Sequence, residues 1–295
     1  MRINLSIVAI AIGFAAPILA AASPALSSQK IEVLTGLKGS YNEKERVFKV
    51  TFPRSDIQAT SGGVKLVPAL GLTSWAAFQR TGAQTMVMGD TVLLEDQVNP
   101  VMSVALEYGL EVTALHNHFF GDSPKVMFMH IGGMGDEEKL ASAIGKVYAK
   151  VKETMGGKGN FPNVAIDPAK TSLKPESLSE ILGAKGDLKD GVFKVMIGRK
   201  TKMHGVEAGN AMGVNTWAAF AGSDQEAVVD GDFAMLESEL QPVLKKLRAA
   251  GINIVAIHNH MTNETPRIMF LHFWGVGPAA NLAKGIKSAL DTQKL

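Results

Sequence analysis

Short apolar runs, several of them rich in β-branched residues, punctuate the C-terminal half of the chain. Runs of this length and composition, bounded by polar and glycine-containing segments, are typical of β-strands. They predict the following strands: Val192–Ile197, Asn215–Ala221, Ala227–Phe233, Ile252–His260 and Arg267–Trp274, the last two joined by a turn at Thr262–Pro266.

Two other segments have apolar residues at helical spacing. Glu237–Ala250 has apolar positions three and four apart, and Gly251 follows where a helix C-cap is expected. Pro278–Leu290 begins with a proline, which the start of a helix tolerates. The N-terminal half repeats this order from Val47 to Val151. The order of elements predicts an α/β (α+β) fold in which each sheet has helices on one face, with ferredoxin-like split βαβ character.

The two halves are diverged copies of one unit. Three motifs recur with the same offset of 142 positions (217 − 75, for example): Trp75–Phe78 as Trp217–Phe220, His116-Asn117-His118 as His258-Asn259-His260, and His130 as His272. Between Gly71 and Gly135, roughly a third of the positions match their counterparts. We therefore predict two tandem homologous domains, residues 30–155 and 177–295, joined by a linker at 156–176.

Composition and charge restrict the class of protein. Hydrophobic residues make up 46% of the chain and charged residues 20%, which is typical of globular proteins. The 30 basic and 28 acidic residues are well mixed and give a net charge of +2. Nucleic-acid binding needs clustered positive charge, so we predict no nucleic-acid partner.

The N-terminus has the pattern of a secretory signal. Arg2 precedes an apolar run, Leu5–Leu19, and small residues follow at Ala20–Ala22. We predict a signal peptide at residues 1–22, a periplasmic or secreted protein, and no membrane span after cleavage. The chain has no cysteine, which excludes disulfides, thiolate ligands and a lipobox cysteine.

Six of the seven histidines fall in the two repeated motifs. His258 and His260 alternate along a predicted strand, so both imidazoles leave the same face, with Cα atoms about 7 Å apart. His272 joins them if the hairpin pairs it with Ala256, whereas a slip of one residue turns it away. Imidazoles in this arrangement can share a metal ion. The predicted ligands are His258, His260 and His272 in the second copy and His116, His118 and His130 in the first.

Three further side chains are candidates beside these histidines. Glu264 follows His260 by four positions, and Asp122 is its counterpart in the first copy. A carboxylate there could be a fourth ligand, an acceptor for an imidazole N–H or a general base. His204 has Gly62 as its counterpart, so it could bring a further imidazole to the second site.

Other interpretations remain open at this stage. The histidines could form a hydrogen-bonded structural network or line an organic-ligand pocket. Asp90 and Asp232 are expected at strand ends, where they would cap helix starts, with a ligand role as the less favoured alternative. Trp75 and Trp217 are expected in the core. Four methionines near the histidines would suit copper, although they could equally fill gaps in the core: Met127, Met212, Met261 and Met269.

The repeated pattern resembles a known family. Residues 89–133 and 204–286 each carry His-Asn-His, an acidic residue, Pro, a basic residue and Phe-x-His. In this the sequence resembles the LppY/LpqO family, exported bacterial proteins named after lipoproteins and classed as a domain of unknown function. The resemblance covers nearly everything after the predicted signal and implies export. It implies no activity, substrate or metal, and Gly62 departs from the His-Gly of the second copy.

These features together predict an exported protein that binds a divalent metal, zinc or copper, through its histidine clusters. Metal-dependent hydrolysis of an envelope-derived small molecule, with Glu264 as the base, is the catalytic extension of this prediction. The alternative is a non-catalytic module that binds an envelope ligand or partner and uses the histidines structurally.

Overall fold

The computed structural model describes residues 26–157 and 163–294, and the predicted signal peptide at 1–22 lies outside them. The described chain is a mixed α/β protein, as predicted. Its α-helices are α1 (Ser28–Thr35), α2 (Glu95–Glu107), α3 (Glu137–Glu153), α4 (Pro175–Leu182), α5 (Leu240–Ala249) and α6 (Ala279–Leu290).

Among the residues that the structure describes, each repeat contributes nine strands. Those of the first are β1 (Gly39–Asn42), β2 (Val47–Pro53), β3 (Thr60–Ser61), β4 (Val64–Lys65), β5 (Thr73–Thr81), β6 (Gln84–Leu94), β7 (Glu111–Asn117), β8 (Asp122–Ser123) and β9 (Val126–Gly135). Those of the second are β10 (Gly186–Lys189), β11 (Val192–Gly198), β12 (Thr201–Met203), β13 (Val206–Ala208), β14 (Asn215–Gly222), β15 (Ala227–Leu236), β16 (Asn253–His258), β17 (Glu264–Thr265) and β18 (Ile268–Gly277).

Twelve of these strands form one antiparallel sheet in the order β1-β2-β5-β6-β9-β7-β16-β18-β15-β14-β11-β10. Within each repeat the order is that of a split βαβ unit, because β9 lies between β6 and β7, and β18 lies between β15 and β16. The described helices pack on one face of this sheet around a common hydrophobic core. We call the opposite face the open face.

The predicted elements of the second repeat are present with small shifts at their ends. The predicted helix at Glu237–Ala250 begins with a 3₁₀ turn at Glu237–Glu239, continues as α5, and is followed by Gly251 with a left-handed φ of 73°. α1 and α4, each only 8 residues long, were not predicted, although Leu178, Ile181 and Leu182 of α4 have helical spacing. Pro175, predicted to lie in the linker, starts α4.

The two repeats join in the middle of the sheet, where β7 lies antiparallel to β16. Leu115 pairs with Ile257 there, and the two residues occupy the same position in their repeats. A pseudo-twofold axis therefore passes through this pair. The two histidine motifs, which follow one position later, lie on either side of it.

Each repeat also contributes an amide side chain to the other across this junction. Asn99 of α2 accepts from the Ile254 N–H at 2.8 Å and donates to the Ile254 carbonyl at 3.1 Å. Gln241 of α5 makes the same two contacts with Val112, at 3.0 and 2.9 Å. Ile254 and Val112 lie beside bulges in β16 and β7. The amides thus supply hydrogen-bond partners to buried backbone groups at the junction.

Within residues 26–157 and 163–294, every helix is too short or too polar to cross a membrane.

Candidate metal centre

The register of one hairpin positions the second histidine cluster. His272 of β18 pairs with Ala256 of β16, which is the register needed to put His272 on the same face as His258. A bulge between Ile254 and Ala256 sets this register. His258 ends β16 on the open face, and His260 lies in the following turn.

The three imidazoles of the second repeat lie in contact. The His258 and His272 rings are stacked with centroids 4.7 Å apart, and the His260 and His258 Nε2 atoms are 3.1 Å apart. Two ligands on a tetrahedral ion with bonds of 2.0–2.1 Å are separated by about 3.3 Å, so this spacing is close to that of a shared ion. His272 Nδ1 donates to the Gly231 carbonyl at 3.3 Å, which leaves its Nε2 lone pair free for a metal.

Asp232 is the fourth member of this cluster. It lies inside β15, directly opposite His272, and its side chain is only 3% exposed. Its Oδ2 is 3.0 Å from His260 Nε2 and 4.0 Å from His258 Nε2. The expectation of a capping position at a strand end was therefore wrong, because the carboxylate points from mid-strand to the imidazoles.

Donor atoms from three of these residues converge. Three donor atoms lie within 4.8 Å of one another, one each from Asp232, His258 and His272. Among the described residues, this trio is the group whose geometry could hold a metal ion. Two atoms here are buried and have no hydrogen-bond partner among the described residues: Asp232 Oδ1 and His258 Nδ1. A buried polar atom without a partner is costly, so the residues present fit a bound cation.

Burial shifts the pKa of two members of this cluster, Asp232 and His258. It raises the pKa of the Asp232 carboxyl, an effect that nearby His272 and His260 partly offset. Burial, together with the neighbouring His272 and His260, lowers the pKa of His258 to about 4. His258 is therefore neutral at physiological pH and offers a lone pair, which is the form that a metal requires.

The first repeat places the same residue types at the equivalent positions. Asp90 pairs with His130 across β6 and β9, and His130 Nε2 is 3.0 Å from His116 Nε2. The His118 ring stacks on Phe128 at 3.3 Å between centroids. Burial raises the pKa of Asp90 and lowers that of His118. The two repeats differ in one contact. Asp232 lies within ion-pair distance of His260. Among the described residues, no hydrogen bond or ion pair joins Asp90 to an imidazole.

The predicted auxiliary residues lie elsewhere. Glu264 is buried in the turn between β16 and β18, where its Oε1 accepts from the Ile268 N–H at 3.2 Å. Asp122 Oδ2 accepts from the Val126 N–H at 2.7 Å, so both carboxylates hold the same turn. His204 is exposed in the turn between β12 and β13 with a φ of 49°, close to the 56° of its counterpart Gly62. None of the three belongs to the converging trio.

A Trp–Lys pair flanks each cluster on the open face. Trp217 pairs with Asp232 across β14 and β15, and Lys194 Nζ lies 4.1 Å from the Trp217 ring centroid. Lys49 lies 4.2 Å from the Trp75 ring centroid in the first repeat. The two tryptophans are half-buried rather than in the core, so that expectation was wrong.

The fold and this site define a duplicated α/β protein with a histidine–carboxylate cluster in each repeat. The chain belongs to the family described as Domain of Unknown Function (DUF1259), whose model matches residues 29–150 and again residues 176–292. The two matches confirm the internal repeat and the membership of a family of unknown function.

Other comparisons add little. Among curated proteins, no sequence matches the chain significantly. Among solved structures, a trimeric bacterial microcompartment shell protein, PduB, is similar over 86% of this chain and 89% of its own, with 12% identity and a TM-score of 0.20. A similarity this low supports no inference about fold or function.

Proposed function

We propose that this chain is a metal-binding protein that holds a divalent ion, zinc or copper, at Asp232, His258 and His272. The observation that carries the proposal is the convergence of one carboxylate and two imidazoles within 4.8 Å. The second oxygen of that carboxylate, Asp232 Oδ1, is also buried and has no hydrogen-bond partner among the described residues. One carboxylate and two imidazoles form a ligand set suited to zinc and to copper.

His260 has a separate role in this proposal. Of the three imidazoles in the second repeat, that of His260 is the most exposed. Its Nε2 lies 3.0 Å from the Asp232 carboxylate. It is placed to complete the coordination of the ion or to exchange a proton with a bound molecule. The equivalent site in the first repeat, formed by Asp90, His116, His118 and His130, binds more weakly, because its carboxylate makes no such contact with an imidazole.

We further propose that the chain is an exported protein of the LppY/LpqO type and that its metal site supports hydrolysis. A bound ion at such a site supplies Lewis acidity and lowers the pKa of a coordinated water. The sequence predicted Glu264 as the base, but its carboxylate accepts a hydrogen bond from the Ile268 N–H. His260 is therefore the better placed proton acceptor. The predicted signal peptide supports export, and N-terminal sequencing of the mature protein tests it: a start after Ala22 is expected, and an intact Met1 would contradict it.

Metal analysis of natively produced protein tests the main proposal. We expect near-stoichiometric zinc or copper by inductively coupled plasma mass spectrometry, lost in His258→Ala/His260→Ala/His272→Ala. The matched variant His116→Ala/His118→Ala/His130→Ala is expected to retain the ion of the second site. Folded wild-type protein that takes up neither metal after loading would overturn the proposal.

A cleft between the repeats favours a second candidate function, non-catalytic binding of a small organic molecule. A cavity of about 240 Å³ lies between α2 and β9 of the first repeat and β16 and β18 of the second. Val98, Met127, Val255 and Trp274 are among the residues that line it. A pocket with apolar walls and few polar groups is typical of small-molecule sites. Ligands that quench Trp274 fluorescence in metal-free protein, and no longer do so in Trp274→Phe, would support this function; a screen without such a ligand would count against it.

A further inference from the structure

Three methionines lie together on the open face of the first repeat. Met86 of β6 pairs directly with Met134 of β9, and Met88 leaves the same side of β6 two positions later. Side chains directly opposite each other on antiparallel strands have Cβ atoms about 4.5–5.5 Å apart, and diagonal neighbours lie about 7–8 Å apart. Methionine has a long, unbranched and flexible side chain, so three sulfurs starting from these positions can reach one point.

These methionines do not fill a core. Met88 is 56% exposed and Met134 is 51% exposed, while Met86 is half-buried. All three line one concavity of about 260 Å³, which Glu111 and Thr113 of β7 also border. Gap-filling in a hydrophobic core, the usual reason for methionine, therefore does not account for them.

The second repeat lacks this feature at the same place. Val228 and Val276 form the cross-strand pair equivalent to Met86 and Met134, and Asp230 occupies the position of Met88. The thioethers are thus specific to the first repeat, although the histidines beside them are common to both.

We propose that Met86, Met88 and Met134 form a site for a soft monovalent cation, namely Cu(I). Neutral thioether sulfurs are soft ligands that select Cu(I), whereas hard divalent cations prefer oxygen. The Glu111 carboxylate at the rim adds negative charge that favours a cation. The site is separate from the histidine–carboxylate centres, and Met88 lies two positions from Asp90 along the same face of β6.

An anaerobic competition for Cu(I) between the reduced full chain and the chelator bathocuproine disulfonate tests this site. The test variant is Met86→Leu/Met88→Leu/Met134→Leu, which keeps side-chain size and apolar character and removes the sulfurs. The matched control is Met196→Leu, which removes a methionine of the second repeat that is 52% exposed. Circular dichroism and thermal unfolding of all proteins verify that each variant folds.

We expect the wild type and the control to bind one Cu(I) with sulfur scattering in X-ray absorption. The triple leucine variant should bind it at least roughly a hundredfold more weakly, since loss of outer-shell partners alone costs about 10–100-fold. His116→Ala/His118→Ala/His130→Ala should keep the Cu(I) affinity, which separates this site from the function proposed above. Unchanged binding in the triple leucine variant, or sulfur-free scattering that disappears with the histidines, would overturn the proposal.

Discussion

The two repeats have the same histidines on the same strands, but their surroundings differ. In the second repeat a buried carboxylate contacts the cluster, since Asp232 lies 3.0 Å from His260. In the first repeat Asp90 has no such contact among the described residues, and three methionines lie along the same face. Duplication therefore kept the donor atoms while their neighbours diverged. Two sites of one origin can then prefer different ions.

The largest expected effect separates the two histidine clusters. His272→Ala removes a ligand from the converging trio and should weaken the tighter of two zinc-binding events by about a hundredfold or more. His130→Ala should leave that event unchanged and weaken the other. Isothermal titration calorimetry with zinc measures both events, and an equal loss in the two variants would remove the distinction between the repeats.

The carboxylates of the two clusters are also expected to differ in their effect on zinc affinity. Asp232→Asn should lower zinc affinity at the second site by about 10–100-fold, because it removes the charge that contacts the imidazoles. Asp90→Asn should change the affinity of the first site by less than about tenfold. Competition with a fluorescent zinc chelator measures both, and a larger effect for Asp90→Asn would contradict the assignment of the stronger site.

The two amide side chains that cross the junction are expected to contribute unequally to the free energy of unfolding. Asn99→Ala leaves the buried Ile254 backbone groups without partners and should cost about 2 kcal/mol of unfolding free energy. The Gln241 contacts with Val112 are only part-buried because the Gln241 side chain is half-exposed, so Gln241→Ala should cost less, about 1 kcal/mol. Urea denaturation measures both, and costs near zero would show that packing alone holds the repeats together.

Acid should destabilise the metal-free second repeat through His258. Its pKa is about 4 in the folded protein against 6.5 ordinarily, so the unfolded chain binds the proton more readily. The contribution of His258 is therefore complete above about pH 6.5 and is lost as the pH falls towards about 4. The raised pKa of Asp232 acts in the opposite sense on acidification.

The difference between the wild type and His258→Gln isolates this contribution. We expect wild-type protein to lose about 2 kcal/mol more than the variant between pH 7 and pH 4.5, allowing for partial solvent screening. Denaturation at several pH values with a chelator present measures it. Parallel pH profiles for the two proteins would contradict a neutral, buried His258.

The smallest effect concerns the Trp–Lys pairs. Lys194→Met and Lys49→Met should each cost about 0.5 kcal/mol, because the cation–π contacts are partly exposed and alike in both repeats. Thermal unfolding measures the costs. A much larger loss of stability in one repeat would contradict this, because the two Lys–Trp distances are nearly equal.

The sequence predicted what depends on local periodicity. The strands and helices of the second repeat, the split βαβ order and the duplication follow from spacing along the chain. The register of His272 was predicted only as a condition, because a slip of one residue leaves the pattern of apolar positions almost intact. The bulge beside Ala256 that fixes it has no clear sequence signal.

Long-range contacts account for what sequence reasoning missed. Asp232 joins the cluster through cross-strand register, and the one available sign was that Gly-Asp is retained in both repeats. The joining of the repeats through Leu115 and Ile257 depends on contacts between residues far apart in the chain. Glu264 was singled out by its spacing from His260, yet its carboxylate is directed to the backbone of its own turn.

The most direct test of the central claim is anomalous X-ray diffraction from crystals of the full chain grown with zinc, recorded on both sides of the zinc absorption edge. We expect a strong anomalous peak between the carboxylate of Asp232 and the imidazoles of His258 and His272, and a weaker peak or none beside His130. A peak confined to the first repeat, or no peak at either cluster in zinc-saturated protein, would contradict it.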